Sequence, residues 1–294
     1  MTIRAEERFA APAATFEPVH PLGRLLNHPG IDVEVRPYYF DAEIFDAYER
    51  QSGITDWDFP GLQACVRDGD RVLDVGCGPG RATLDIARNT TAREIVGVDT
   101  SMRALAKFRD ELQHAPELAD RMSVIHGDIF DLDLPLGAGY NCILLADCTV
   151  NFVAEPHDLV RLLRRLAALL SSGGRIALAV FDDGVTDQLA AVINGVTTTP
   201  FTDEQGDTHV LWWAMSLDTE RELLHRSVFV QLPSDGPKVK GLMSDMYDKL
   251  WTPSAIKPLL DEAGLTISNR HQAAVENGAA SGITTTVLEI ERAT

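Results

Sequence analysis

Four cysteines, Cys65, Cys77, Cys142 and Cys148, are spread through 294 residues without a C-x-x-C pair. That spacing excludes a zinc ribbon, a thioredoxin motif and a disulfide scaffold, and makes a reducing, cytoplasmic compartment the default. Positive charge is also scarce. Lys and Arg number 26 against 44 Asp and Glu, a formal net charge of −18, and only five of the cations are Lys. The chain lacks the basic face that a nucleic-acid binder needs and that anionic lipid would attract. It has no apolar run of about 18 residues, so no membrane span is expected. Residues 1–19 lack a charged-then-apolar leader. There is no internal repeat, and the eight histidines show no H-x-x-x-H spacing, so no metal is expected.

The rest of the composition is ordinary for a globular chain, with 45% hydrophobic and 24% charged residues. Residues 1–35 are Pro/Ala-rich and read as a loose arm, and an amphipathic helix is expected over 41–51. From Arg71 the pattern is regular. Apolar runs at 71–76, 94–99, 122–128, 140–147 and 175–182 read as five strands, alternating with helices over 80–89, 101–114 and 156–170. This cadence predicts βαβ units around a parallel sheet. The rhythm breaks at Asp183. Runs at 209–217 and 222–232 flank a short polar turn and predict an antiparallel hairpin. A helix from Pro253 to about Ala263 and strands at 265–272 and 282–290 follow. The sheet therefore reads as interrupted and then completed, within one enlarged α/β domain.

The sharpest signal is Asp74-Val75-Gly76-Cys77-Gly78-Pro79-Gly80, where the first strand ends and a helix opens. Glycines there let a ligand lie on the backbone, and the helix start presents free N–H groups. Asp99 ends the second strand, where an acid can accept both hydroxyls of a ribose. Asp128 ends the third. A dinucleotide site favours G-x-G-x-x-G, whereas these glycines fall as G-x-G-x-G after an acid.

That pattern resembles motif I of the class I S-adenosylmethionine (SAM)-dependent methyltransferases. The resemblance rests on motifs over 71–182 and on pattern alone over 254–290. It implies a Rossmann-like, seven-stranded sheet with the last strand antiparallel, helices on both faces, an N-terminal helical lid and a β-containing insertion after the fifth strand. The implied organisation is an arm and lid at 1–60, a SAM-binding core at 61–182, a substrate-binding insertion at 183–250 and a completion of the core at 251–294. Asp74, Gly76, Cys77, Gly78 and Gly80 would border the methionine half of SAM. Asp99 and Thr100 would lie at the ribose, with Met102 near the adenine. Asp128 would accept from the adenine amino group, with Ile129 on the ring face. Ala146 and Asp147 would lie under the sulfonium, their carbonyls toward the methionine amine.

Methyl transfer from SAM needs an aligned nucleophile, and a hydroxyl or acidic carbon also needs a base. Asp147, Tyr48 and His209 are the candidate catalytic residues, and His225 is a second candidate base on the hairpin. Tyr38, Asn151, Trp212, Trp213 and Tyr247 are candidate acceptor contacts, since aromatic faces attract cations and exclude water. The expected reaction is N-methylation of a small metabolite, a natural product or a peptide N-terminus. O- or C-methylation, a non-catalytic SAM-binding partner module and an NAD enzyme are the alternatives. A homo-oligomer is compatible with the sequence.

Overall fold

A computed structural model describes residues 22–36, 56–134, 139–193, 195–203, 206–274 and 282–293. In chain order the elements are β1 (Ile31–Val35), α1 (Phe59–Cys65), β2 (Arg71–Val75), α2 (Arg81–Asn89), β3 (Glu94–Asp99), α3 (Met102–His114), α4 (Pro116–Ala119) and β4 (Met122–His126). There follow β5 (Tyr140–Leu145), α5 (Pro156–Leu169), β6 (Leu170–Phe181), α6 (Val185–Val192), β7 (Val196–Thr202), β8 (Thr208–Asp218), β9 (Leu223–Leu232), β10 (Val239–Lys249), α7 (Pro253–Glu262), β11 (Leu265–Ala274) and β12 (Thr284–Arg292). Short 3₁₀ turns lie at Leu22–Asn27 and Thr149–Phe152.

The chain divides into two compact units. The first comprises residues 56–185 and 250–294. It holds a seven-stranded sheet in the order β11-β12-β6-β5-β2-β3-β4. Strands β2 to β6 are mutually parallel, and β12 enters antiparallel to β6. The parallel strands are apolar on both sides because helices cover both faces. One face packs Leu159, Leu162 and Leu166 of α5 and Ile256 and Leu260 of α7. The other packs Leu62 of α1, Leu84 and Ile86 of α2, and Leu105 and Phe108 of α3. Helix α3 starts as expected, the Ser101 hydroxyl accepting from the Ala104 amide at 3.2 Å.

The second unit comprises residues 1–55 and 186–249, of which the described part begins at Leu22. Its sheet runs β1-β10-β9-β8-β7, antiparallel except for β1, which pairs parallel with β10. The expected hairpin is β8 and β9. The insertion is richer than a hairpin: β7 and β10 extend it, and α6 precedes it. The loose arm expected over 1–35 is also corrected in its described part. Ile31-Asp32-Val33-Glu34-Val35 alternates with period two and forms β1, an overlooked strand signal. Strand β7 carries Pro200 and β10 carries Gly241, residue types depleted in strands, and both are fixed by pairing. Each face of this sheet has its own apolar cluster. Leu211, Val228, Val230 and Leu242 lie on one. Ala214, Phe229 and Met243 lie on the other, with Leu22, Leu25 and Leu26 of the 3₁₀ turn. The expected helix over 41–51, with Tyr38 and Tyr48, lies outside the described residues.

Candidate functional site

Strand β2 delivers Asp74 to a turn in which Gly76, Gly78 and Gly80 hold φ of 75°, 54° and 94°. Sterics separate their roles. A Cβ on Gly80 would lie 2.5 Å from the Phe108 ring, and one on Gly76 would lie 2.5 Å from the Thr149 methyl. Those two glycines permit packing as well as the left-handed backbone. Nothing lies within 4 Å of a Cβ built on Gly78, so the space above its backbone is open. The Gly76 and Cys77 amides donate to the Val98 carbonyl at 2.8 and 3.1 Å, and the Gly78 amide donates to Asp99 Oδ2 at 2.8 Å. The turn is thereby fastened to the end of β3. Cys77 is buried, and burial raises its thiol above the usual range.

Asp74 is fully buried. Its Oδ2 accepts from the Thr83 hydroxyl at 2.6 Å, while Oδ1 has no partner. Burial pushes this carboxyl up to about 6, against the opposing pull of the Thr83 hydrogen bond and the Arg81 charge. Asp99 is also raised by burial, opposed by the amides it accepts from. Its Oδ1 accepts from the Ser101 amide at 2.7 Å and its Oδ2 from the Gly78 amide, and the carboxylate keeps a lone pair for a further donor. Thr100 follows, its carbonyl 3.0 Å from His126 Nε2. One helical position on, Met102 is 69% exposed, an apolar surface left open beside Asp99. Asp128 is buried, with Oδ1 accepting from the Phe130 amide at 2.9 Å. Ile129 packs into the core instead of standing open for a ring.

At the end of β5 the Ala146 carbonyl accepts from both the amide and the hydroxyl of Thr149, at 2.9 and 2.7 Å. Its two lone pairs are therefore engaged by Thr149. Asp147 and Cys148 both hold left-handed backbone, at φ 48° and 56°. Such strain costs about 1–3 kcal/mol per residue and gathers at functional sites. Asn151 is 1% exposed, and neither atom of its amide has a partner.

A cluster absent from the sequence reading braces this end of the sheet. Asp58 is fully buried just before α1 and accepts from both Arg81 guanidinium nitrogens at 2.7 Å. Its Oδ2 also accepts from the Asp147 amide at 2.8 Å. Burial alone would lower the Arg81 guanidinium, but Asp147 and Asp58 more than offset it and hold it up. The one local clue is the Arg directly after the last glycine; its partner, 23 residues earlier, becomes visible only in three dimensions.

Residues 72–174 match the family described as "Methyltransferase domain". Those residues form a methyltransferase domain. The CcbJ methyltransferase of Streptomyces caelestis is similar in structure, with a TM-score of 0.66 at 23% identity over 88% of this chain and 99% of that one. The sugar N-methyltransferase KedS8 of a Streptoalloteichus species has a TM-score of 0.59 at 19% identity over 86% of this chain and 94% of that one. In sequence, a trans-aconitate 2-methyltransferase of Delftia acidovorans is 31% identical over 38% of each chain. The match thus spans well under two thirds of that curated relative's length.

The methyltransferase domain fits SAM on the chain's own geometry: open space above Gly78, an unpartnered oxygen on Asp74, and Asp99 with a lone pair to spare. The other predicted residues lie in the second unit. His209 Nε2 is 2.8 Å from Asp203 Oδ2, and its ring stacks on Phe201 with centroids 5.0 Å apart. Trp212 and Trp213 pack in the clusters of opposite sheet faces. Tyr247 stacks on His225 with centroids 4.2 Å apart. In the methyltransferase unit, the ligand atoms of Cys65, His271 and Glu289 lie within 4.8 Å of one another. Arg67 donates to Glu289 at 3.1 Å and Arg175 Nε lies 3.7 Å from it, so this cluster already holds its cations. No helix among the described residues is long and apolar enough to cross a membrane.

Proposed function

We propose that this chain transfers a methyl group from SAM to an amine of a small metabolite or natural product, a peptide N-terminus falling within the same chemistry. The observation that carries the reading is the buried, unpartnered Asp74 Oδ1 beside a glycine turn whose backbone is open at Gly78. When bound, SAM supplies a methyl group on a positively charged sulfur. Asp99 would hold the ribose hydroxyls and Met102 would cover the base. Asp74 and the turn would hold the methionine end. Three carboxylates, Asp58, Asp74 and Asp147, act on the Arg81 guanidinium, and negative charge near the turn suits a cationic cofactor and an amine. Residues 183–250 would bind the acceptor together with the segment around Tyr38 and Tyr48, with Trp212, Trp213, Tyr247 and Asn151 as contacts. Chain order supports this, because the insertion leaves the core after the carboxyl end of β6, the edge where open α/β sheets take ligands.

Amine acceptors draw support from similar structures whose titles name a sugar N-methyltransferase and a glycopeptide N-methyltransferase. A hydroxyl acceptor is the second reading, favoured by sequence similarity to a 27-O-demethylrifamycin SV methyltransferase, 28% identical over 145 residues. The test is a panel of amino sugars, amino acids, short peptides and phenols incubated with SAM. Mass spectrometry should show one hydrogen replaced by a methyl group, with S-adenosylhomocysteine released in equal amount. Methylated phenols without methylated amines would move the assignment to oxygen. SAM binding without any product would leave a binding module.

A further inference from the structure

His126 has no part in the reading above, yet it touches the segment on which that reading depends. It is the last residue of β4, the edge strand beside β3, and in the parallel register it pairs with Asp99. Its side chain is exposed, and its Nε2 lies 3.0 Å from the Thr100 carbonyl oxygen. A carbonyl only accepts, so Nε2 carries the proton of this bond. The next residue, Gly127, donates its amide to the Asp99 carbonyl at 2.9 Å. The end of β4 therefore holds two successive carbonyls of the chain leaving β3.

The local structure gives that grip a consequence. Asp99-Thr100-Ser101 turns from β3 into α3. Ser101 caps the helix, and its carbonyl accepts the first helical bond, from the Leu105 amide at 3.1 Å. The Thr100 carbonyl stands one residue too early for a helical amide to reach it, so its hold must come from outside the turn. That oxygen and the Ser101 N–H belong to one planar peptide group. His126 holds the oxygen, and the N–H donates to Asp99 Oδ1 at 2.7 Å. Fixing one end of the plane fixes the other. It thereby fixes one of the amides that aim the Asp99 carboxylate, the Gly78 amide at 2.8 Å being another. Burial raises this carboxyl, while the Ser101, Gly78 and Thr100 amides and the nearby His126 pull the other way.

We propose that His126 is a positioning residue for the ribose-binding acid. Through the peptide plane between Thr100 and Ser101 it holds the Asp99 carboxylate in the orientation that accepts from the ribose of SAM. The imidazole acts on the cofactor only through that plane. It removes, before binding, a rotation that the ligand would otherwise have to freeze. Gln carries an amide N–H that can take over the bond to Thr100, and Leu carries none.

The inference rests on Asp99 being the ribose acid, and its test lets the two fail separately. Calorimetry is run with S-adenosylhomocysteine and with 5′-methylthioadenosine, which shares the ribose and lacks the amino-acid end. His126→Leu should weaken both by about threefold to tenfold, the loss of one hydrogen bond, and His126→Gln should stay within about twofold of wild type. In an Asp99→Ala background His126→Leu should change nothing further, because it acts through that carboxylate. Equal losses with and without Asp99, or no loss at all, overturn the proposal. A second readout needs no ligand. Amide hydrogen exchange at Ser101 and Gly78, followed by NMR, should quicken in His126→Leu and not in His126→Gln, while β5 and β6 keep wild-type rates. Unchanged exchange at Ser101 also overturns the proposal. If His126→Leu does not fold, His126→Ala removes the same donor and is read in the same way. A wild type that binds neither ligand counts against the SAM reading, and the exchange rates still decide for His126.

Discussion

In the core unit, Asp58, Asp70 and Arg175 are buried with ion-pair partners in place. In the five-stranded sheet the buried Nδ1 of His209, Nε1 of Trp212, Nε2 of His225 and Oγ of Ser244 have no hydrogen-bond partner. Among the described residues of the core unit, the exceptions are Asp74 Oδ1 and the amide of Asn151, both just past or at the carboxyl ends of parallel strands. Buried polar atoms are normally satisfied, because each one left over costs about 1–3 kcal/mol. The core confines such atoms to the cofactor edge, whereas the insertion carries them on both faces.

Substitutions that unpair the core should show the largest effect. Arg81→Ala strands the fully buried Asp58 carboxylate, and chemical denaturation should read a loss of about 3–5 kcal/mol. The matching change in the insertion, Arg226→Ala, frees Asp248, which is 6% exposed and held at 2.6 Å. Its loss should be smaller because Asp248 is nearer solvent than Asp58; an equal loss would erase the contrast. Within the glycine turn, Gly80→Ala drives a Cβ into Phe108 and should cost more stability than Gly78→Ala, whose Cβ meets nothing. Gly78→Ala should instead weaken SAM in calorimetry.

Effects on affinity come next. Asp99→Ala should weaken SAM by about tenfold to a hundredfold through loss of a charge-assisted hydrogen bond. Asp74 adds a pH dependence. Its carboxyl lies near 6, above the usual range, so the folded chain retains a proton that the unfolded chain releases between about pH 4 and 6. Stability of the free protein therefore falls as pH rises through that window. SAM, being cationic, should bind the ionised form better, so its affinity should rise up to about pH 6 and then level off, and Asp74→Asn should flatten the curve. The smallest effect is expected from Trp212→Ala and Trp213→Ala, which should differ: they sit on opposite faces, so one should raise the acceptor KM and the other mainly lower Tm.

The core was legible because its signals are local. Apolar runs, glycines at fixed spacing and acids at strand ends each report on a few consecutive residues, and β2 to β6 lie close to where those runs fall. Strand β6 begins five residues earlier than expected, at Leu170, because Leu170 pairs with Tyr140 ahead of an irregular polar stretch that shows no apolar pattern. The insertion was legible only as β8 and β9. Strand β10 reads as mixed polar sequence, and β1 belongs to a sheet whose other strands lie about two hundred residues downstream. Hydropathy read in a window cannot see such a partner. The same limit hid Asp58–Arg81.

The pairing of Ile31 with Val239 also sets an order of events during synthesis. At roughly 5–20 residues per second, β1 leaves the ribosome roughly 10–40 s before β10 exists. During that interval the whole parallel core as far as β6 is made and can close, while β1 waits as an unpaired edge. The chain must therefore make strands β2 to β6 before its first strand finds a neighbour. Holding β1 soluble through that wait falls to Asp32 and Glu34, the two charges that alternate with its apolar residues.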